Sequence, residues 1–207
     1  MFSLISHPFG LTEQGFESQF GVNHLGHFAL TGLLLDVVLD TPQSRIVTVS
    51  SVAHRFGKIE FDNLNAEKGY RANGAYGQSK LANLLFTYEL QSKLQDAGSD
   101  TIATASHPGW TETNLQQHSG GLRFFNRFFA QAPDMGALPT LRAATDQDVL
   151  GGSCYGPSRR FGMVGYPRRV ESNARSHDMG VASDLWEISE EMTGVQYSFN
   201  RQPEVQV

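Results

Sequence analysis

Cysteine is almost absent from this chain of 207 residues, which contains one, Cys154. A single cysteine excludes a disulfide within the chain and is typical of a reducing compartment. No apolar run reaches the roughly 20 residues of a membrane-spanning helix, because the longest candidate, residues 30–39, contains Gly32 and Asp36. The first eight residues lack the basic segment of a signal peptide. These absences predict a cytoplasmic protein.

Basic residues are also few. The chain has 16 Lys and Arg against 21 Asp and Glu, a formal net charge of −5. A general nucleic-acid binder usually carries the opposite balance, so we expect no nucleic-acid partner. His24 and His27 are three positions apart, but no third ligand is placed near them in the sequence, and we predict no metal site.

The apolar pattern predicts an α/β fold in a single domain over residues 1–207. In chain order it predicts a helix over 12–39 capped by Thr12, a strand over 44–51, a helix over 75–97 and a strand over 101–106. Both strands are rich in apolar and β-branched residues, which is typical of buried parallel strands. A helix between successive strands indicates parallel crossovers and a layered sheet.

The second half of the chain is less regular. Helical spacing covers residues 135–146 and 181–192, and Gly194 is positioned to end the second of these helices. Five glycines and two prolines within residues 151–175 predict a loop with one short strand.

Tyr76 and Lys80 lie four positions apart in the most regular predicted helix. That spacing places both side chains on one helical face. A nearby ammonium group favours the phenolate and lowers the pKa of a tyrosine, which makes the phenol a usable general acid or base. The same spacing is also common in ordinary surface pairs of helices, so the pair alone does not define a site.

Polar groups cluster where the two predicted strands end. Ser50 and Ser51 close the first strand, and residues 108–113 follow the second. Ligands of open parallel sheets bind beyond the carboxyl ends of the strands. A serine hydroxyl there can hold a carbonyl oxygen while Tyr76 delivers a proton to it, which suits carbonyl reduction or alcohol oxidation.

Four stretches in this order resemble the short-chain dehydrogenase/reductase family, and in particular its branch of retinol dehydrogenases, WW-domain oxidoreductases and protochlorophyllide reductases. They are residues 20–28 (FGVNHLGHF), 45–54 (RIVTVSSVAH), 75–83 (AYGQSKLAN) and 107–109 (HPG). The resemblance extends over nearly the whole chain. It implies that Tyr76 is the general acid/base and that Lys80 lowers the pKa of Tyr76 and holds the nicotinamide ribose.

The resemblance also implies that Ser51 orients the substrate oxygen and that Asn23 completes the catalytic set through a water. It implies a cofactor-binding set composed of Asn23, Tyr76, Lys80, Pro108, Gly109 and Thr113. The expected cofactor is NAD(P)(H), with NADP(H) slightly favoured by the resemblance alone.

The glycine-rich turn that receives the cofactor pyrophosphate in this family is absent from the sequence. The chain therefore resembles the C-terminal portion of a Rossmann-type doubly wound sheet without its first βαβαβ half. The first interpretation is an NAD(P)-dependent oxidoreductase acting on a small lipophilic alcohol or carbonyl. The alternative is a non-catalytic remnant that acts as an interaction protein. An exposed sheet edge would also favour a homo-oligomer.

Residues 123–129 (RFFNRFF) combine four phenylalanines with two arginines and Asn126. At about 100° per residue, the phenylalanines share one side of a helix. We expect this segment to be a lid over a lipophilic substrate. The alternatives are a helix that packs on the protein and a weak membrane contact through residues 124–129.

Overall fold

The computed structural model describes residues 7–110 and 131–199. Within them, four strands form one sheet in the order β1-β2-β3-β4. The strands are β1 Arg45–Val49, β2 Ile102–Ser106, β3 Cys154–Arg159 and β4 Val164–Val170.

The first two strands pair in parallel, from Arg45 opposite Ile102 to Val49 opposite Ser106. This pairing confirms both predicted strands and their parallel arrangement. β3 joins β2 in parallel as well, and β4 returns antiparallel to β3.

The prediction of a loop with one short strand over residues 151–175 was wrong, because this stretch forms the hairpin of β3 and β4. Pro157 and Pro167 lie directly opposite each other in that hairpin. Their missing N–H groups therefore fall at one position of the ladder, and the pairing continues on both sides of it, with a register shift between Pro157 and Arg159. The glycine and proline content predicted a loop because composition does not reveal this register.

Six α-helices and a π-helical segment accompany the sheet in the described residues. The α-helices are α1 Ser18–Phe20, α2 Gly26–Leu33, α3 Leu35–Leu39, α4 Ala72–Asp96, α5 Pro133–Thr145 and α6 Met179–Thr193. Short 3₁₀ helices cover Val52–Phe56, Phe61–Asn63 and Ala174–His177. The predicted helices over 75–97, 135–146 and 181–192 are confirmed, each beginning two or three residues earlier, and Gly194 ends α6 in the left-handed conformation.

The predicted helix over residues 12–39 is broken into shorter pieces. It begins at Ser18, because the Glu17 carboxylate accepts hydrogen bonds from the backbone N–H groups of Gln19 and Phe20. Thr12 is not the cap, and its hydroxyl instead accepts a hydrogen bond from Phe16 N in the preceding turn. Gly21–Leu25 is π-helical and separates α1 from α2.

The sheet carries helices on both faces. Ile46 of β1 and Ala103 of β2 pack on the side of α4, in one cluster with Phe86 and Leu90. Val47 packs on the opposite face, towards α5, with Ala143. Successive residues of a strand point to opposite faces, so this alternation is what a doubly covered parallel sheet requires. The α/β fold is therefore the expected one.

A close approach of two glycines positions the segment after β1. A Cβ atom on Gly57 would lie 2.2 Å from the carbonyl oxygen of Gly77 in α4. Only a residue without a side chain allows this contact. As a result, the 3₁₀ helix Val52–Phe56 lies directly against α4, near Tyr76.

Candidate active site

The predicted tyrosine and serine meet where β1 ends and α4 begins. Ser51 follows β1 and caps the 3₁₀ helix, with its hydroxyl accepting a hydrogen bond from Ala53 N at 3.3 Å. The Tyr76 side chain, one turn into α4, interacts with the Ser51 side chain. A phenol and a hydroxyl are thus held together at the carboxyl edge of the sheet.

The pKa of Tyr76 is shifted upwards, in contrast to the shift that the sequence pattern suggested. Burial disfavours the phenolate and raises the pKa, and the hydrogen bond from Ser51 opposes only part of that rise. Near neutral pH the phenol therefore keeps its proton and is an acid rather than a base.

Lys80 lies one turn further along α4 and is only 2% exposed. Its Nζ donates to the carbonyl oxygen of Val49 at 3.3 Å and lies 5.7 Å from the centroid of the Tyr76 ring. Burial lowers the pKa of Lys80 to about 8. An ammonium group has three N–H donors, so one carbonyl partner leaves capacity for the hydroxyl groups of a ligand.

Ser50 also holds this part of α4. Its hydroxyl is buried and donates to the carbonyl oxygen of Lys80 at 2.7 Å. The sequence analysis assigned no separate role to this residue. The available sequence signal for this contact was its position next to Ser51, since the side chains of adjacent strand residues point to opposite faces.

Asn23 is completely buried in the π-helical segment. Its Nδ2 donates to the hydroxyl of Ser79 at 3.1 Å, and that hydroxyl donates to the carbonyl oxygen of Tyr76 at 2.9 Å. The amide predicted as a catalytic group therefore contacts the first turns of α4 directly behind the tyrosine.

Pro108 and Gly109 follow β2 at the same edge. Gly109 has a φ of 71°, and a Cβ atom there would lie 2.3 Å from the carbonyl oxygen of Met163. The turn therefore requires glycine at this position. Thr113, the last residue predicted to bind cofactor, lies outside the described residues, as does the aromatic segment 123–129.

Gln131 holds this turn, which the sequence analysis did not foresee. Its Nε2 donates to the carbonyl oxygen of Pro108 at 2.8 Å, and its Oε1 accepts from Gly165 N of β4 at 3.0 Å. Its own backbone N–H donates to the carbonyl oxygen of Trp110 at 2.9 Å. A lone glutamine 22 positions after Gly109 carries no sequence signal for this contact.

Two further histidines border the site. His54 is buried, and its Nδ1 lies 2.6 Å from the carbonyl oxygen of Ser51. His107 is also buried, immediately before Pro108. Burial lowers the pKa of both rings, that of His107 to about 4, so both are neutral at pH 7. His54 therefore supports the backbone of Ser51 without adding charge.

Residues 7–110 and 131–199 contain no group of three or more potential metal-ligating side chains. The Nε2 of His24 instead contacts the hydroxyl of Ser189 at 2.9 Å. No helix in this part of the chain has the length and apolar character needed to cross a bilayer.

A family model described as short chain dehydrogenase matches residues 6–121. The chain therefore belongs to the short-chain dehydrogenase family, and its sheet is the family's Rossmann-type sheet in part.

The chain is similar to retinol dehydrogenase 14 of Mus musculus, with 41% identity over 195 residues that cover 91% of this chain and 56% of the relative. It is 39% identical to human retinol dehydrogenase 11, over 91% of this chain and 57% of the relative. The chain thus spans a little over half the length of these curated relatives. A crystal structure of an uncharacterized protein from Mycobacterium Paratuberculosis matches with 45% identity and a TM-score of 0.79, covering 95% of this chain and 66% of that one.

The residues described here fit one end of a nicotinamide cofactor. The buried Lys80 ammonium has donors to spare for the ribose hydroxyls, and the Pro108–Gly109 turn presents backbone at the same edge. The family implies NAD or NADP without deciding between them. The glycine-rich pyrophosphate turn is not encoded in this sequence.

Proposed function

We propose that this chain carries the proton-transfer half of an NAD(P)-dependent oxidoreductase that interconverts an alcohol and a carbonyl. The observation behind the proposal is the interaction of Tyr76 with Ser51, with the Lys80 amine buried beside the Tyr76 ring. The similarity to retinol dehydrogenases supports a small lipophilic, retinoid-like substrate.

In the reduction direction, the Tyr76 hydroxyl donates its proton to the substrate oxygen while the carbonyl carbon gains a hydride. A bound nicotinamide cofactor would supply that hydride, and Tyr76, Lys80, Asn23 and the Pro108–Gly109 turn would hold it. Ser51 donates a hydrogen bond to the same oxygen and stabilises the charge that develops on it. The raised pKa of Tyr76 keeps the proton available for this step at neutral pH.

In the oxidation direction the same proton transfer occurs in reverse. The phenolate of Tyr76 removes the hydroxyl proton of the alcohol as the hydride leaves the carbon. Because burial raises the pKa of Tyr76, the phenolate form is scarce at pH 7 and becomes more abundant as pH rises. Alcohol oxidation should therefore increase with pH, whereas carbonyl reduction should not require alkaline conditions.

Replacement of Tyr76 by Phe tests the proposal. We expect a loss of turnover of roughly 10²- to 10⁴-fold with retinal and NADPH or NADH, because only the transferred proton is removed. Tyr88→Phe is the matched control, since its hydroxyl lies on the same helix but contacts Ser172 at 2.8 Å. Equal activity of Tyr76→Phe and the unmodified chain would contradict the proposal.

The second candidate is a non-catalytic remnant that acts as an interaction protein. Four large apolar side chains in α2, in α3 and at the residue between them are about half-exposed or more: Leu30, Leu33, Leu34 and Val37. β1 is also an edge strand of the described sheet. A fluorescence titration with NADPH and NADH separates the two functions, because binding by this chain favours the enzyme and its absence favours the remnant.

A further inference from the structure

The π-helical segment directs two neighbouring side chains, Asn23 and His24, into the interior. Segments of this kind are rare and often accompany functional sites. Asn23 is one of the predicted site residues, whereas His24 has no role in the proposed proton transfer. Its ring is buried among three aromatic side chains, those of Phe20, Phe28 and Phe86.

Polar contacts of His24 lead in two directions. On one side, Nε2 lies 2.9 Å from the hydroxyl of Ser189 in α6. On the other side, the ring interacts with the side chain of Asn83 in α4. Nδ1 of His24 and Oδ1 of Asn83 are both buried, and neither has a hydrogen-bond partner in the described residues. When Nδ1 of His24 carries a proton it needs an acceptor, and Oδ1 of Asn83 needs a donor. The two atoms can therefore satisfy each other.

Asn83 leads in turn to the lysine of the site. Its Nδ2 donates to the carbonyl oxygen of Val49 at 3.0 Å. The same oxygen accepts from Lys80 Nζ at 3.3 Å. Two donors thus share one acceptor. The orientation of the Asn83 amide determines whether its NH₂ group or its Oδ1 atom lies beside the Lys80 ammonium.

We propose that His24 is a positioning residue for Lys80, acting by fixing the orientation of the Asn83 amide. The Ser189 hydroxyl donates to Nε2 of His24, and the Nδ1–H of His24 donates to Oδ1 of Asn83. The amide NH₂ of Asn83 consequently faces the Val49 carbonyl oxygen. The three hydrogen bonds thus form one chain in which each donor faces the next residue. The chain leads from α6 through the π-helical segment and α4 to the end of β1.

The reverse orientation of the amide has a definite consequence. It would place Oδ1 of Asn83 beside the Val49 oxygen and the Lys80 ammonium, where it adds an acceptor for the charged form of the lysine. Burial is the cause that lowers the pKa of Lys80 to about 8. A new acceptor would therefore raise that pKa, and the proposal assigns to His24 the task of preventing this.

The first test uses the unmodified chain and needs no variant. Long-range ¹H–¹⁵N NMR spectra distinguish the two neutral tautomers of histidine. Because Nε2 accepts from Ser189, we expect His24 to be neutral at pH 7 with its proton on Nδ1. A proton on Nε2 would overturn the proposal, since Nδ1 could then no longer donate to Asn83.

The second test measures the amine of Lys80 directly. Competitive labelling with acetic anhydride as a function of pH, read by mass spectrometry, gives its pKa, with the exposed Lys68 as internal reference. In His24→Phe we expect the pKa of Lys80 to rise by about one unit, the size of a hydrogen bond to a charged group. His24→Asn retains a donor near the Nδ1 position and should restore the original value.

A matched variant separates this effect from a loss of packing. Phe28→Leu perturbs the same aromatic cluster and removes no hydrogen-bonding group. We expect it to leave the pKa of Lys80 unchanged. An unchanged value in His24→Phe, or an equal rise in Phe28→Leu, would overturn the proposal.

The inference rests on the proposed function for the importance of Lys80, but its readouts do not. Neither the tautomer of His24 nor the labelling of Lys80 requires cofactor, substrate or turnover. An inactive chain with the expected tautomer and shift would therefore refute the proposed function alone. An active chain without them would refute the role of His24 alone.

Discussion

Acid should unfold this protein through its buried histidines. Burial lowers the pKa of His24 to about 3 and that of His107 to about 4, from an ordinary value of 6.5. In the unfolded chain both rings take up protons as pH falls through about 6.5, whereas in the folded chain they stay neutral. The unfolded state therefore binds more protons, and the free energy of unfolding decreases as pH falls.

The size of the effect follows from these values. Between pH 7 and pH 5, each of the two histidines removes about 2 kcal/mol from the free energy of unfolding, or about 4 kcal/mol together. A domain of ordinary stability has roughly 5–15 kcal/mol in total. His54, whose pKa burial also lowers, adds to the loss in the same direction.

Urea unfolding at pH 7 and pH 5, followed by far-UV circular dichroism, measures this loss. We expect His24→Phe combined with His107→Gln to be less stable than the unmodified chain at pH 7 but to lose about 4 kcal/mol less on acidification. Phe28→Leu, which disturbs packing beside His24 without changing a titratable group, should keep the full pH dependence. A double variant with the original pH dependence would refute the assignment of acid sensitivity to these rings.

Three further predictions concern the turn after β2 and the exposed helices. Gly109→Ala should lower the free energy of unfolding by about 1–3 kcal/mol in urea titrations, because of its positive φ, and an unchanged midpoint would contradict this. Gln131→Ala should weaken NADPH binding in fluorescence titrations by freeing the carbonyl oxygen of Pro108, whereas equal affinity would exclude a role in holding the turn. Light scattering after size exclusion should show that the chain associates and that Leu33→Glu with Val37→Lys shifts it towards monomer, because both side chains are exposed at 73% and 68%. A monomeric unmodified chain would refute this last expectation.

The elements that could be predicted from sequence are those in which local pattern and packing agree. α4 combines the Tyr76–Lys80 spacing with a long run of buried positions. The two predicted strands, β1 and β2, are short, apolar and bounded by turn residues. The meeting of Tyr76 and Ser51 followed from topology, because parallel strands and the helix between them place their functional ends at one edge.

The elements that could not be predicted depend on contacts distant in sequence. The β3–β4 hairpin requires Pro157 to lie opposite Pro167, which only the register reveals. The direction of the shift in the pKa of Tyr76 depends on how deeply α4 is buried, which the spacing to Lys80 does not show. The contact of Asn23 with Ser79 depends on the π-helical turn, whereas the apolar spacing predicted one continuous helix over residues 12–39.

The hydrogen bond between Gln131 N and Trp110 O has a consequence for how such proteins can diversify. It joins the residue immediately before 111–130 to the residue immediately after them, so the two ends of this stretch are held together by the described residues themselves. Because this hydrogen bond lies outside residues 111–130, a segment of different length or composition can be grafted between Trp110 and Gln131 while the strands keep their register.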